Sequence, residues 1–239
     1  MNEPGNRIQT GRQTFDRDLG RLEAELILMS GLVEQAIFNS LNALKNRDLE
    51  RSQKVIEEDD YIDEAELEIE RSCIELIRRE APMAGDLRRI VASLHIAGEL
   101  ERIGDYAEGI AKISISMGDQ PLLKELIDIP RMGDMAVSML KRALEAFISR
   151  DAETVRALSV DLELDDDLVD DLYMTVQADL MELVKTNPEG AERATYLMWV
   201  AHNLERVADR AMNIVERALF QATGELVSGS TQIESASSE

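Results

Sequence analysis

Eight carboxylates of this chain fall into four pairs spaced four residues apart: Asp59 and Asp63, Glu101 and Asp105, Asp166 and Asp170, Glu205 and Asp209. On an α-helix that spacing stacks two side chains on one face, close enough to share or bridge a cation. One pair from each of two adjacent helices would surround a single locus with four carboxylates. The spacing therefore predicts two metal sites, Asp59/Asp63 with Glu101/Asp105 and Asp166/Asp170 with Glu205/Asp209. All-oxygen ligation suits hard cations such as Mg, Ca, Mn or ferric iron and selects poorly for zinc or copper.

The surrounding sequence sharpens the expectation. Residues 57–70 carry nine acids and residues 161–171 carry seven, with no Lys or Arg in either stretch. Like charges at i and i+4 each destabilise a helix by a few tenths of a kcal/mol, a repulsion that a bound cation would offset. On a helical projection Asp59, Asp63, Glu66 and Glu70 fall inside the apolar seam of Val55, Ile56, Ile62, Ala65, Ile69, Cys73, Leu76 and Ile77. Glu101 and Asp105 border the face of Ile96, Ala97, Leu100, Ile103, Ala107 and Ile110, with Glu108 above them. Glu205 and Asp209 take the same border later in the chain, where Met212 replaces Glu108, and Asp166 and Asp170 lie at the edge of their seam. An ionised carboxylate beside a core needs a cation, or it neutralises.

Other readings of these residues stay open. The acids could form a solvated face, with Glu101 and Glu205 paired to neighbouring arginines, on a metal-free helical scaffold. A metal-dependent oxidase or phosphatase of the carboxylate-bundle type would use Glu-x-x-His from two helices. His95 and His202 instead follow Ala92 and Trp199 at that spacing. His202 lies three residues before Glu205 on the same side, within reach of a metal there, but its repeat counterpart is Gly98, so it reads as a helix-surface or packed histidine. No Gly-x-x-x-x-Gly-Lys-Ser/Thr or Gly-x-Gly-x-x-Gly phosphate loop is present. Cys73 reads as a core thiol, the 11 methionines as core filling, and Trp199 as core or interface. Arg78, Arg79, Arg88 and Arg89 form the one concentrated basic patch, fit to receive an acidic partner or to neutralise the acids of the second helix.

The elements that must position these groups are helices. The 239 residues hold 44% hydrophobic but only 4% aromatic residues, with 5 Pro and 13 Gly. That supports a helical core and argues against a β-sandwich or barrel. With 26 basic against 48 acidic residues the formal net charge is −22, which disfavours nucleic acid. A single cysteine, no signal-peptide pattern at the start and no apolar run long enough to span a bilayer predict an intracellular protein. Breaks at Asn46–Asp48, Ala81-Pro82, Gly118–Pro121, Ile129-Pro130, Arg150-Asp151 and Asn187-Pro188 leave six helices, over 14–46, 49–79, 83–117, 131–149, 152–186 and 189–222.

Three helices, a Gly/Pro break and three more helices suggest duplication. Residues 100–110 and 204–214 share Leu, Glu, Arg, Asp, Ala and Ile at matching positions. The Arg47-Asp48 turn matches Arg150-Asp151, and Asp59–Asp63 matches Asp166–Asp170 after four extra residues. That insertion leaves Asp161/Asp165 as an alternative register. The fold class is all-α, two tandem, pseudo-symmetric up-down-up three-helix bundles of spectrin-like form, spanning 14–117 and 122–222. Residues 1–13 and 223–239 read as loose ends.

The doubled Leu-Glu-Arg-Ile/Val-x-Asp of Leu100–Asp105 and Leu204–Asp209, the companion Asp59-x-x-x-Asp63 and Asp166-x-x-x-Asp170, and the Asn203–Arg206 and Asn213–Glu216 stretches together resemble the PhoU family of phosphate-transport regulators. The resemblance spans residues 14–222. It implies a cytoplasmic, non-enzymatic, usually homodimeric protein that restrains phosphate uptake and the phosphate-starvation response. Its implied partners are the ATPase subunit of a phosphate-specific ABC transporter and a sensor histidine kinase, with the membrane met only through them. It also implies metal clusters on the eight paired carboxylates, iron foremost, with Mg, Mn, Ca or Zn as alternatives.

Overall fold

The computed structural model describes residues 4–225, with side chains from 12 onward. All regular structure among them is helical: α1 (Pro4–Asn46), α2 (Leu49–Glu58), α3 (Asp60–Glu80), α4 (Ala84–Met117), α5 (Asp128–Ser149), α6 (Ala152–Thr186) and α7 (Ala191–Thr223). These are the six expected helices, the second split at Asp59. There the Asp59 carbonyl accepts from both Ile62 N–H (2.8 Å) and Asp63 N–H (3.2 Å), so the ladder tightens for one turn while the backbone stays right-handed.

Two boundaries differ from the sequence reading by more than two residues. Helix α1 begins at Pro4 instead of 14, because extending an existing helix costs little even where no apolar stripe demands it. Helix α5 begins at Asp128 and takes Pro130 into its first turn, where a missing N–H costs nothing. Of the C-terminal loose end, residues 226–239 lie outside those described.

The recurring Arg-Asp turn has a local cause. Arg47 and Arg150 both adopt left-handed backbone (φ 61° and 57°), reversing the chain. Asp48 then accepts from Arg51 N–H at 2.9 Å and Asp151 from Thr154 N–H at 2.8 Å. Each carboxylate caps the helix that follows.

Helices α1, α3 and α4 pack as one triangle and α5, α6 and α7 as another, while α4 lies along α7 and α1 along α5. The shared core runs through Leu100, Ile103, Ala107 and Ile110 on α4 and Leu197, Leu204, Val207 and Ile214 on α7, all sealed from solvent. Burying a large aliphatic side chain contributes about 1.5–3 kcal/mol, so this seam dominates the stability of the pair. Across it Glu99 accepts from Asn213 at 3.0 Å and Arg210 at 3.3 Å, while Gly109 faces Asn203 at the pseudo-symmetric position. Between α1 and α5 the helices approach closely at Gly133, where an added Cβ would overlap Leu41.

Candidate metal centre

The first acid set occupies the groove between α3 and α4. Its walls meet at Gly104: a Cβ there would lie 3.0 Å from Ile62 Cδ1 and 3.2 Å from Asp59 Oδ1. Glycine lets α3 approach closely enough for Asp59 to reach the carboxylates of α4. Ligand oxygens of Asp59, Asp105 and Glu108 all lie within 4.8 Å of one another. Asp59 Oδ1 is buried without a hydrogen-bond partner, an arrangement that costs about 1–3 kcal/mol unless something supplies positive charge.

The electrostatics follow from this crowding. Burial, then the charges of Glu108, Asp63 and Asp105, push Asp59 up to about 7. Burial followed by Asp63 and Glu108 raises Asp105; burial followed by Asp105, Glu66 and Asp63 raises Glu101; and burial followed by Glu70 and Asp63 raises Glu66. Lys112, 2.5 Å from Glu108, is the nearest opposing charge. Arg102 turns to Glu99 at 3.0 Å and leaves Glu101 unpaired by it.

The second set lies between α6 and α7, and it answers the register question. Asp166 and Asp170 face α7: burial, then Asp209, push Asp166 up to about 7, and the same two causes raise Asp170. Asp161 and Asp165 face α5 instead, where Arg142 pairs with both. The four extra residues add about one helical turn, which keeps Asp166 on the inner face. Glu205 is raised by burial and then Asp209, and its Oε2 is buried without a hydrogen bond although His202 Nδ1 lies 3.1 Å away. Arg206 sits 2.5 Å from Asp209.

Geometry therefore brings together Asp59, Asp105 and Glu108 as a three-oxygen locus, with Asp63 and Glu101 in their field. Glu108 was absent from the expected ligand set, although its place one turn after Asp105 marked it. Asp63, Asp105 and Asp170 are exposed and the other predicted ligands half-buried, so both grooves are open troughs rather than core-sealed cages. The projection put Asp63 inside the seam and Asp105 and Asp170 at a border or edge; Asp63 lies shallower than projected because how far α4 covers it is not contained in a single-helix projection.

Several lesser expectations also meet the coordinates. Cys73 is fully buried, its thiol pushed up to about 12 mainly by burial. Trp199 is 53% exposed, packed edge-on against Tyr196 and outside the core. Met29, Met117, Met132 and Met139 are buried, whereas Met83, Met174 and Met181 face solvent. His202 is exposed against Tyr173. In the basic patch, Arg78 pairs with Glu75, Arg79 with Asp18 and Glu80, and Arg89 with Glu23, so these arginines neutralise acids other than those of the groove. No helix among the described residues is long and apolar enough to cross a membrane.

Comparisons with known proteins agree with this architecture. The PhoU domain model matches twice, over residues 26–114 and 129–218. A phosphate-specific transport system accessory protein PhoU homolog of Zymomonas mobilis is 36% identical over 219 residues, covering 89% of this chain and 88% of its own length. Its counterpart from Aquifex aeolicus is 36% identical over 211 residues, covering 88% and 94%. The crystal structure of the phosphate transport system regulatory protein PhoU from Streptococcus pneumoniae superposes with a TM-score of 0.80 at 30% identity, over 90% of this chain and 99% of that one. PhoU from Pseudomonas aeruginosa gives 0.79 at 31%, over 88% and 100%.

Proposed function

Because this chain belongs to the PhoU family, we propose that it is a cytoplasmic, non-enzymatic regulator of phosphate uptake whose paired acid grooves hold metal ions. It works as an accessory protein of a phosphate-specific transport system and restrains the phosphate-starvation response. Its partners are the transporter's ATPase subunit and a sensor histidine kinase, and it acts as a homodimer. The accessory and regulatory names of its relatives favour this over an enzyme.

The observation that carries the metal reading is the unpartnered Asp59 oxygen beside Asp105 and Glu108. Asp59, Asp105 and Glu108 would hold the cation in the first repeat, with Asp63 and Glu101 adding negative field; Asp166, Asp170, Glu205 and Asp209 would do so in the second. A hard cation such as iron supplies the positive charge that these carboxylates lack. With a cation held there, the acids of α3 and α4, and those of α6 and α7, would be drawn together, which would fix the outer faces that α3 and α6 present to partners.

The test is co-purification. The ATPase subunit should be retained by the metal-loaded protein and released after chelation, and likewise lost with Asp59→Asn plus Asp105→Asn. Failure to retain either ATPase subunit or kinase, with or without metal, would remove the adaptor role.

A further inference from the structure

At one end of the four-helix core formed by α1, α4, α5 and α7, polar groups gather that the acid grooves do not use. Arg89 of α4 and Arg150 after α5 share one carboxylate, Glu23 of α1, at 2.8 Å and 2.6 Å. The neighbouring Arg88 reaches the end of α7, where its Nε donates to the Gln221 carbonyl at 3.4 Å and its guanidinium lies beside Gly224. Among the described residues its terminal nitrogens meet no acid. Arg89 and Arg150 thus share one glutamate at this end, with Asp151 next in sequence to Arg150 and Glu225 next to Gly224.

Two further groups here lack partners. Gln221 is 5% exposed, yet neither its amide nitrogen nor its amide oxygen is hydrogen-bonded, and Arg89 Nε is buried without an acceptor. Buried donors without acceptors each cost about 1–3 kcal/mol, so an acceptor that none of the described residues supplies would stabilise this end.

The pseudo-symmetric end shows what a completed version looks like. There Arg47, the counterpart of Arg150, donates to the Gly118 carbonyl at 2.8 Å, and Arg193, the counterpart of Arg89, donates to the Pro121 carbonyl at 2.8 Å. Both acceptors belong to the linker between repeats. The counterpart of Gln221 is Met117, an ordinary core residue. One end is closed by carbonyls and methionine; at the other, Arg89 Nε and the buried Gln221 amide have no such partner among the described residues.

We propose that this end, formed by Arg88, Arg89, Arg150 and Gln221, is a binding site for free inorganic phosphate. Guanidinium forks match the oxygen spacing of phosphate and keep their charge at any physiological pH. The site owes nothing to the carboxylate grooves, so it stands or falls independently of metal binding there.

The experiment is calorimetric titration of the full chain with inorganic phosphate, at constant ionic strength and in excess chelator so that no metal-bridged phosphate contributes. Saturable binding is expected, weakened at least about tenfold by Arg88→Gln with Arg150→Gln, in line with the loss of charged hydrogen bonds. The exposed pair-former Arg71 serves as control, and Arg71→Gln should leave affinity unchanged. Should the double variant lose its helical signal, Gln221→Met, which copies the opposite end, should still weaken phosphate binding while the protein stays folded. Absence of saturable binding by the wild-type chain, or undiminished binding in folded Gln221→Met and arginine variants, would overturn the proposal.

Discussion

Arg206 lies 2.5 Å from Asp209, whereas its repeat counterpart Arg102 turns away from Asp105 to Glu99. Each groove nevertheless carries a resident cation on one proposed ligand, Arg206 on Asp209 in the second and Lys112 on Glu108 in the first. Glu108, the third oxygen donor of the first, is replaced there by Met212. The first groove should therefore bind a divalent cation more tightly. Titration of chelator-treated protein with Mn should resolve two affinities, and Arg206→Gln should strengthen the weaker one. Asp105→Asn should abolish the tighter site and leave the other nearly intact; equal loss from both would contradict independent sites.

Gly104 makes a second prediction. A methyl group at this position meets the Ile62 and Asp59 side chains at 3.0–3.2 Å, so Gly104→Ala must displace those side chains by a few tenths of an ångström. Helix content should be unchanged, since alanine favours helix over glycine by about 1 kcal/mol. Metal affinity at the first groove should fall, read by the same titration, while the second groove, where Ala208 already occupies the equivalent position, stays as it was.

The pH dependence of the metal-free protein has a definite sign. Asp59 and Asp166 are each raised from 3.8 to about 7 in the folded chain. Between those values the native state holds protons that the unfolded state has lost, so stability decreases as pH rises through that window and levels off above it. Because both groups remain partly exposed, solvent screens much of the effect. The thermal midpoint in chelator should be lower at about pH 8 than at about pH 5, and Asp59→Asn should flatten that slope. Saturating cation at about 100 times its dissociation constant adds about 2.7 kcal/mol, a rise of about 5–10 °C for a chain of this size. A midpoint rising with pH in chelator would contradict the assignment.

Gly133 tests the contact between repeats. Its hypothetical Cβ collides with the Leu41 side chain, and both lie where α1 meets α5. Gly133→Ala should destabilise by about 1–3 kcal/mol through overpacking, measured by urea unfolding, and Leu41→Ala in the same chain should recover part of that loss.

Much of this was legible in the sequence because helices write themselves as period. The seam Ile96–Ile110 is buried as projected, and the repeat Leu100–Asp105/Leu204–Asp209 lies on neighbouring helices across a pseudo-two-fold. What the sequence did not reveal were relationships set by helix approach. The depth of Asp63, Asp105 and Asp170 depends on how much of each groove the partner helix covers, which a single-helix projection does not contain. Glu108 enters the oxygen triad because Gly104 admits α3 at that height. The Asp166 register was ambiguous until Arg142, on a third helix, claimed Asp161 and Asp165. Similarly, of the arginines near Pro82, Arg79 and Arg89 found partners on α1, Asp18 and Glu23, far away in sequence.

The central claim is that the acid grooves persist because cations occupy them. Elemental analysis of protein purified without chelator, beside the Asp59→Asn/Asp105→Asn and Glu205→Gln/Asp209→Asn variants, addresses it most directly. The account predicts metal in the native protein, with a separate portion missing from each variant. Native protein free of metal, or variants carrying the full native complement, would contradict it.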